Sequence, residues 1–390
     1  MAGRRLRGAV MSAWILAARR SAVAPRGGAL AGVEPHQLAG RVIAQLLADA
    51  GVAPAAVDDV VLGNALYGGG NPARRAALAA GIPEAVPAMT IDSQCCAGLD
   101  AILLAAERIE AGAAEIIVAG GVESFSRAPI RLRRPRQPGE APLAYDRPPF
   151  TPWPERDPDM IPAAAQLAAE LGISRAAQDA FAVDSHRKAR SGPAAGEIVA
   201  VAGLERDAFA RALTPALAAR LKPLAGAGSH AVTAATVAVE ADAAAAVLVV
   251  SGRRLSGLRA FGRPLRILAG ARRGGDPVRP GLAPIDAAAA ALAGAGLAAG
   301  ELAAAEIMEA FAVQAMACID GITLDPAIVN RGGGALSRGH PIGASGAILA
   351  VRLWHELQRE PPGAAGLCAI AAAGGLGSAL VVQSSPMQLA

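Results

Sequence analysis

Met89-Thr-Ile-Asp-Ser-Gln-Cys95-Cys-Ala-Gly-Leu-Asp-Ala-Ile102 places a thiol between two elements of different period. Met89 to Asp92 reads as a short strand. Gly98 to Glu110 reads as an amphipathic helix with its apolar face on Leu99, Ile102, Leu103, Ala106 and Ile109. Cys95 then falls at a helix N-terminus, where free backbone N–H groups and the positive end of the helix dipole stabilise a thiolate and lower a thiol pKa. The expectation is a nucleophile active near neutral pH, with Ala97 and Gly98 small enough to let a substrate approach. The rival reading makes Cys95 and Cys96 buried small hydrophobes, the commonest fate of free cysteine.

Outward from this stretch, helix and strand alternate. Leu38 to Ala50 has helical spacing, Asp58 to Leu62 reads as a buried strand before the glycine turn Gly68 to Gly70, and Glu115 to Ala119 is a further strand. Such alternation argues an α/β layered core. Pro129 to Pro162 is too rich in proline for a regular helix or a central strand and is expected to be a surface excursion. Ala163 to Arg190 is helical again, with Ser174 and Gln178 near a helix start, and Ala243 to Val250 reads as a buried strand. From about Leu265 the order repeats and ends in Cys368 to Val382, a small-residue strand pair around a glycine turn. The simplest organisation is an N-terminal half over 1–121 and 243–263, a loop domain over 122–242 inserted into it, and a similar C-terminal half over 264–390.

A chain of 390 residues that is 53 % hydrophobic exceeds one core. Its four cysteines (Cys95, Cys96, Cys318, Cys368) have no metal-ligand spacing, so no metal and a reducing compartment are expected. Arg4, Arg5 and Arg7 precede an apolar run from Ala9 to Ala18 in the manner of a signal peptide. Arg19 and Arg20 follow at once, and a first buried strand in a cytoplasmic protein is the better reading. No stretch is long and apolar enough for a membrane span. The net charge of +4 is carried almost wholly by arginine, which suits anionic ligands such as nucleotide phosphates. Only Arg131 to Arg136 is locally basic, and with aromatics at 3 % there is little to stack bases on, so that segment reads as a solvated loop and nucleic acid is not expected as a partner.

A second block, Asn330 to Ala347, reads NRGGGALSRGHPIGASGA. His340 is followed by Pro341 and by Gly343, Ala344, Ser345 and Gly346, a tight, exposed turn leading into a helix. An imidazole there can take a thiol proton and then polarise a carbonyl. His36, His186, His230 and His355 lack such surroundings and read as surface or structural. Gly374, Gly375 and Gly377 permit positive φ and close backbone approach, as an oxyanion hole requires and as an ordinary hairpin turn also does.

Taken together, these blocks resemble the thiolase superfamily. Cys95 with Ala97 to Ile102 is similar to its acylation motif, and Gly120-Gly121-Val122-Glu123-Ser124 to the block after the next strand. Asn330 to Ala347 is similar to its histidine block, and Gly374-Gly375-Leu376-Gly377 to its C-terminal glycine turn. The matches keep the family's order over essentially the whole chain. The resemblance implies a five-layered αβαβα fold of two similar halves, with a loop domain covering a coenzyme A site. It implies an acyltransferase of the acetyl-CoA C-acyltransferase class, in which Cys95 accepts the acyl group of an acyl-CoA, His340 activates the thiol, and the N–H groups of Cys95 and Ala373 hold the oxyanion. It further implies substrate contacts at Met160, Ala238, Phe311 and Gly375, no bound cofactor beyond the coenzyme A thioester as substrate, and a homodimer or homotetramer.

Three departures bear on the chemistry. Ala371 stands where the family has its second cysteine, the residue that moves the α-proton of the second acyl group, and Cys368 lies at an odd offset on the same strand, facing the other way. Met308 stands where the family holds an oxyanion-binding water with asparagine, and Thr236 and Ala238 replace an asparagine and a coenzyme-A-contacting serine. Ordinary Claisen condensation is therefore not expected, which leaves a thiol, water, an amine, an alcohol or a carbanion from decarboxylation as the acceptor. The alternative is a non-catalytic thiolase-like subunit that binds acyl-CoA or a partner, against which Cys95 and His340 both speak.

Overall fold

The computed structural model describes residues 12–192, 195–255, 258 and 261–385. Arg4, Arg5, Arg7 and the start of the apolar run lie outside them. In chain order the main elements are β1 (Ala13–Ser21), α1 (Pro35–Asp49), β2 (Asp59–Gly63), α2 (Pro72–Ala79), β3 (Ala88–Ile91), α3 (Ala97–Glu110) and β4 (Ile116–Ser124). After them come α4 (Met160–Glu170), α5 (Arg175–Ala189) and β5 (Ala241–Ser251). The remainder forms β6 (Leu265–Gly274), α6 (Ala283–Ala295), β7 (Leu302–Ile307), α7 (Ala312–Gly321), α8 (Ile342–Leu357), β8 (Ala365–Ala372) and β9 (Leu376–Ser384).

The strands run β7-β8-β9-β6-β1-β5-β4-β2-β3, with the two halves meeting where β6 pairs with β1. β5 is buried along its full length, as a strand covered on both faces must be, and its sequence is correspondingly apolar without alternation. Layering follows from which face each strand gives to which helix. α1 and α2 pack on one face of the first half through Leu38, Ile43, Leu46 and Ala76 against Val60, Val118 and Leu248. α3 and α8 lie between the halves, with Leu99, Ile102, Ile348 and Leu353 meeting Val247 from the first half of the sheet and Ile370 and Leu380 from the second. α6 and α7 cover the outer face of the second half against Leu367, Ala369 and Val381. The result is the αβαβα stack.

α8 is buried over almost its whole length, and its N-terminus presses on β4. A Cβ on Gly121 would stand 2.0 Å from the Gly343 carbonyl oxygen, so only glycine allows this approach. Three local expectations need correction. α4 begins at Met160 and so includes Pro162, which fits because the first helical turn needs no amide donor. Ala97 and Gly98 are fully buried, and a Cβ on Gly98 would meet the Ala347 amide at 2.8 Å. Their smallness therefore serves the packing of α3 on α8, not access by a substrate. The turn carrying His340 is buried on all sides but one, not exposed. Among the described residues no helix is long and apolar enough to cross a membrane.

Candidate active site

The strand β3 ends at Ile91, and the chain turns sharply through Gln94, which holds the left-handed conformation at φ 56° with its N–H donated to Asp92 Oδ1 at 2.8 Å. Cys95 therefore sits in a single 3-10 turn, Gln94–Cys96, just ahead of α3. Asp100, in the first turn of α3, fastens this turn from behind. It accepts hydrogen bonds from Ser93 Oγ at 2.5 Å and from Ser378 Oγ of β9 at 2.6 Å.

His340 comes from the other half of the molecule. Its backbone N–H donates to the Val239 carbonyl at 2.7 Å, and the Pro341 carbonyl then accepts from Ala344 and Ser345 as α8 begins. Glu123 at the end of β4 anchors that helix start. Its buried carboxylate accepts from Gly343 N–H at 2.9 Å, Ala65 N–H at 3.0 Å and Asn64 Nδ2 at 3.0 Å. Burial pushes the Glu123 carboxyl up to about 7 in spite of these donors.

The two side chains meet: His340 Nε2 is 3.1 Å from Cys95 Sγ. The tautomer follows from the surrounding network. Ser345 Oγ donates its proton to the Pro341 carbonyl at 3.0 Å, so it accepts from His340 Nδ1 at 2.7 Å. Nε2 is left with its lone pair toward the thiol.

Electrostatics correct the expectation of a lowered thiol pKa. Burial pushes Cys95 up to about 12, although its own N–H and that of Ala373 point at the sulfur and act in the opposite sense. Burial likewise lowers His340 to about 4. Both groups are neutral over the physiological range, a thiol hydrogen-bonded to an imidazole base. The backbone donors that pull on the sulfur are the same two, Cys95 and Ala373, that the sequence assigned to an oxyanion. Ala373 is brought there by the turn between β8 and β9, where Gly374 and Gly375 have φ 81° and 79°.

Dyad and donors open on a cavity of about 200 Å³ walled by Phe150, Met160, Leu167, Val237 and Phe311. Met160, Ala238, Phe311, Ala371 and Ala373 all line it. Gly375 does not. A Cβ there would stand 2.6 Å from the Gly275 carbonyl oxygen, so it packs against the loop after β6. Met308 is also elsewhere, buried in the core and lining a separate void of about 10 Å³ beside Ser345. Thr236 closes its own turn, its hydroxyl donating to the Thr233 carbonyl at 3.1 Å. The remaining thiols face away. Cys96, Cys318 and Cys368 are wholly buried, and Cys368 shares the core side of β8 with Ile370 and Ala372. Among the other histidines, His186 and His355 are buried and His230 is half-buried.

Sequence reasoning missed Ser345, Asp100 and Glu123 as parts of the site, and of the segment 236–240 it singled out only Thr236 and Ala238. That segment runs between Phe311 and His340, with Ala238 N–H donating to Ala310 and Ala312 N–H donating to Thr236. Ser345 lies five residues past His340, a spacing that means nothing until the helix start is known.

The thiolase N-terminal domain model matches residues 13–253 and the thiolase C-terminal domain model matches residues 264–384. An acetyl-CoA acetyltransferase of Cupriavidus necator is 40 % identical over 390 aligned residues, covering 95 % of this chain and 98 % of the relative. The crystal structure of the Bacillus anthracis acetyl-CoA acetyltransferase superposes with a TM-score of 0.89 at 33 % identity, covering 96 % of this chain and 99 % of that one.

Proposed function

The chain belongs to the thiolase family, and from that premise we propose that it is an acyl-CoA-dependent acyltransferase whose Cys95 carries the acyl group and whose His340 is the base. The observation that carries this reading is the 3.1 Å contact between His340 Nε2 and Cys95 Sγ at the end of an apolar cavity. As the sulfur attacks the thioester carbonyl, its proton passes to Nε2. The bond from the acyl carbon to the coenzyme A sulfur breaks, and the proton is returned to the leaving thiolate. The N–H groups of Cys95 and Ala373 hold the oxyanion formed on the way, each worth about 3 kcal/mol in the transition state. Because the dyad is neutral at rest, proton transfer accompanies attack instead of preceding it.

Segment 122–242 supplies Phe150, Met160, Leu167, Val237 and Ala238 to the cavity wall, which supports its role as the cover of the coenzyme A arm. Ala371 offers no group for α-proton abstraction, so the acceptor is one that needs none. Localisation in the cytoplasm and assembly as a homodimer or homotetramer belong to the same proposal.

Intact mass spectrometry with peptide mapping, after mixing with acetyl-CoA and longer acyl-CoAs, tests it. An adduct confined to Cys95 and missing in Cys95→Ala is expected. No adduct with any donor would replace this reading with the non-catalytic one, an acyl-CoA-binding or partner subunit.

A further inference from the structure

The cavity that receives the acyl group contains very little that can move a proton. Its polar lining side chains, among the described residues, are Gln94, Cys95, Arg279, Gln314 and His340. Arg279 is held by Glu170, Nε to Oε2 at 3.0 Å, and an amide is no base at neutral pH. Once Cys95 is acylated, His340 is the one remaining base on the cavity wall.

No other thiol can substitute. Cys368 lies on the core face of β8. Cys96 and Cys318 donate their S–H groups to the carbonyls of Ile370 and Gly281, and all three are wholly buried. Position 371, on the wall itself, is a methyl group.

Resting on the proposed acyl-enzyme, we infer that the acceptor is a second thiol, so that the protein moves acyl groups from one thiol to another and makes no carbon–carbon bond. The reasoning is one of symmetry. His340 takes the proton of the incoming thiol, its sulfur bonds to the acyl carbon, and the oxyanion rests on the same two N–H groups. The bond from that carbon to Cys95 Sγ then breaks, and the proton passes from Nε2 back to Cys95 Sγ. A thioester is exchanged for a thioester with no net proton, and every group needed for acylation serves again for its reversal.

The other acceptors each lack something here. A carbanion formed by deprotonation needs a second base aimed at the α-carbon. A carbanion formed by decarboxylation is an enolate whose oxygen needs donors of its own, and the two backbone N–H groups at the sulfur, those of Cys95 and Ala373, already serve the acyl carbonyl. Water has no arm to hold it in place, and Phe150, Leu167, Val237 and Phe311 give it nothing to bond to on the apolar side of the cavity. An acceptor thiol on a flexible apolar arm fits the space that the coenzyme A arm leaves.

The experiment incubates the full chain with acetyl-CoA deuterated on its methyl group and with pantetheine as second thiol, and follows all products by mass spectrometry. Expected is acetyl-pantetheine retaining its full deuterium, formed on the order of a hundredfold faster than without protein and not formed by Cys95→Ala. An acyl adduct on Cys95 that yields only acetate, or that yields a condensed product with deuterium lost, would overturn the thiol acceptor while leaving the acyl-enzyme intact. Absence of the adduct itself overturns the acyl-enzyme and this inference together.

Discussion

A thiol at about 12 beside an imidazole at about 4 behaves differently from a thiolate–imidazolium pair. The base form of His340 is complete at neutral pH and is lost only as pH falls through about 4, while Cys95 stays protonated until strongly alkaline pH. The acylation rate, read by rapid quench, is therefore expected to be flat from about pH 5 to 9 and to fall below that. A rise through neutral pH would instead mark a free-thiol titration. Ser345→Ala removes the acceptor that keeps Nδ1 protonated. The expected result is an acylation rate lower by about tenfold at unchanged KM, since Ser345 touches the imidazole and not the cavity. Cys95 and His340 could be singled out in the sequence because the ordered blocks around them resemble those of one family; alone, Cys95 read more readily as a buried small hydrophobe. The direction of the thiol pKa was not, because the helix-dipole argument leaves out desolvation, which is the larger effect once the cavity wall closes around the sulfur.

At the level of elements, periodicity located the helices and strands that are amphipathic or uniformly apolar, α1, α3 and β5 among them, because one-sided or complete burial leaves its mark on residue order. What it did not convey is why a small residue is small. Gly98 read as room for a substrate and Gly343 as part of a turn, yet each, like Gly121, marks a place where one backbone lies on another. Gly121→Ala is expected to force α8 away from β4 and to cost about 3 kcal/mol in chemical denaturation. The same shift moves His340, so the variant is also expected to lose acylation beyond its loss of folded protein. A variant as stable as the parent would remove this close approach from the account.

On the scale of the whole molecule, the halves are joined by charge as well as by the middle layer. Glu197, from the segment between them, accepts from Arg20 of β1 at 2.6 Å and also from Arg352 of α8, which in turn reaches Glu356 at 2.6 Å. Asp207 completes the Arg20 pairing. These groups are almost wholly buried, so breaking the set is far more costly than its formation is favourable. Arg352→Leu is expected to destabilise by about 3–5 kcal/mol, measured by denaturant titration. Glu306 behaves in the opposite sense. Burial outweighs its distant arginines and lifts its carboxyl from 4.5 to about 7. Its contribution is full below about 4.5 and is lost as pH rises through about 7, so Glu306→Gln is expected to flatten the fall in stability over that window. None of this network was legible in the sequence, where Arg20, Glu197 and Arg352 are far apart and sit in unremarkable surroundings.

The thiol and its base are 245 residues apart and reach each other across the middle layer, one leading into α3 and the other into α8. A refolding chain thus carries its thiol from the first instant but has no acylation chemistry until the halves have docked. During refolding, a general thiol reagent read at the Cys95 peptide counts that thiol in every accessible state, whereas the proposed acylation by acyl-CoA labels only molecules whose interior has closed. The ratio of the two signals is a clock for the last step of assembly, built into the protein without any added probe.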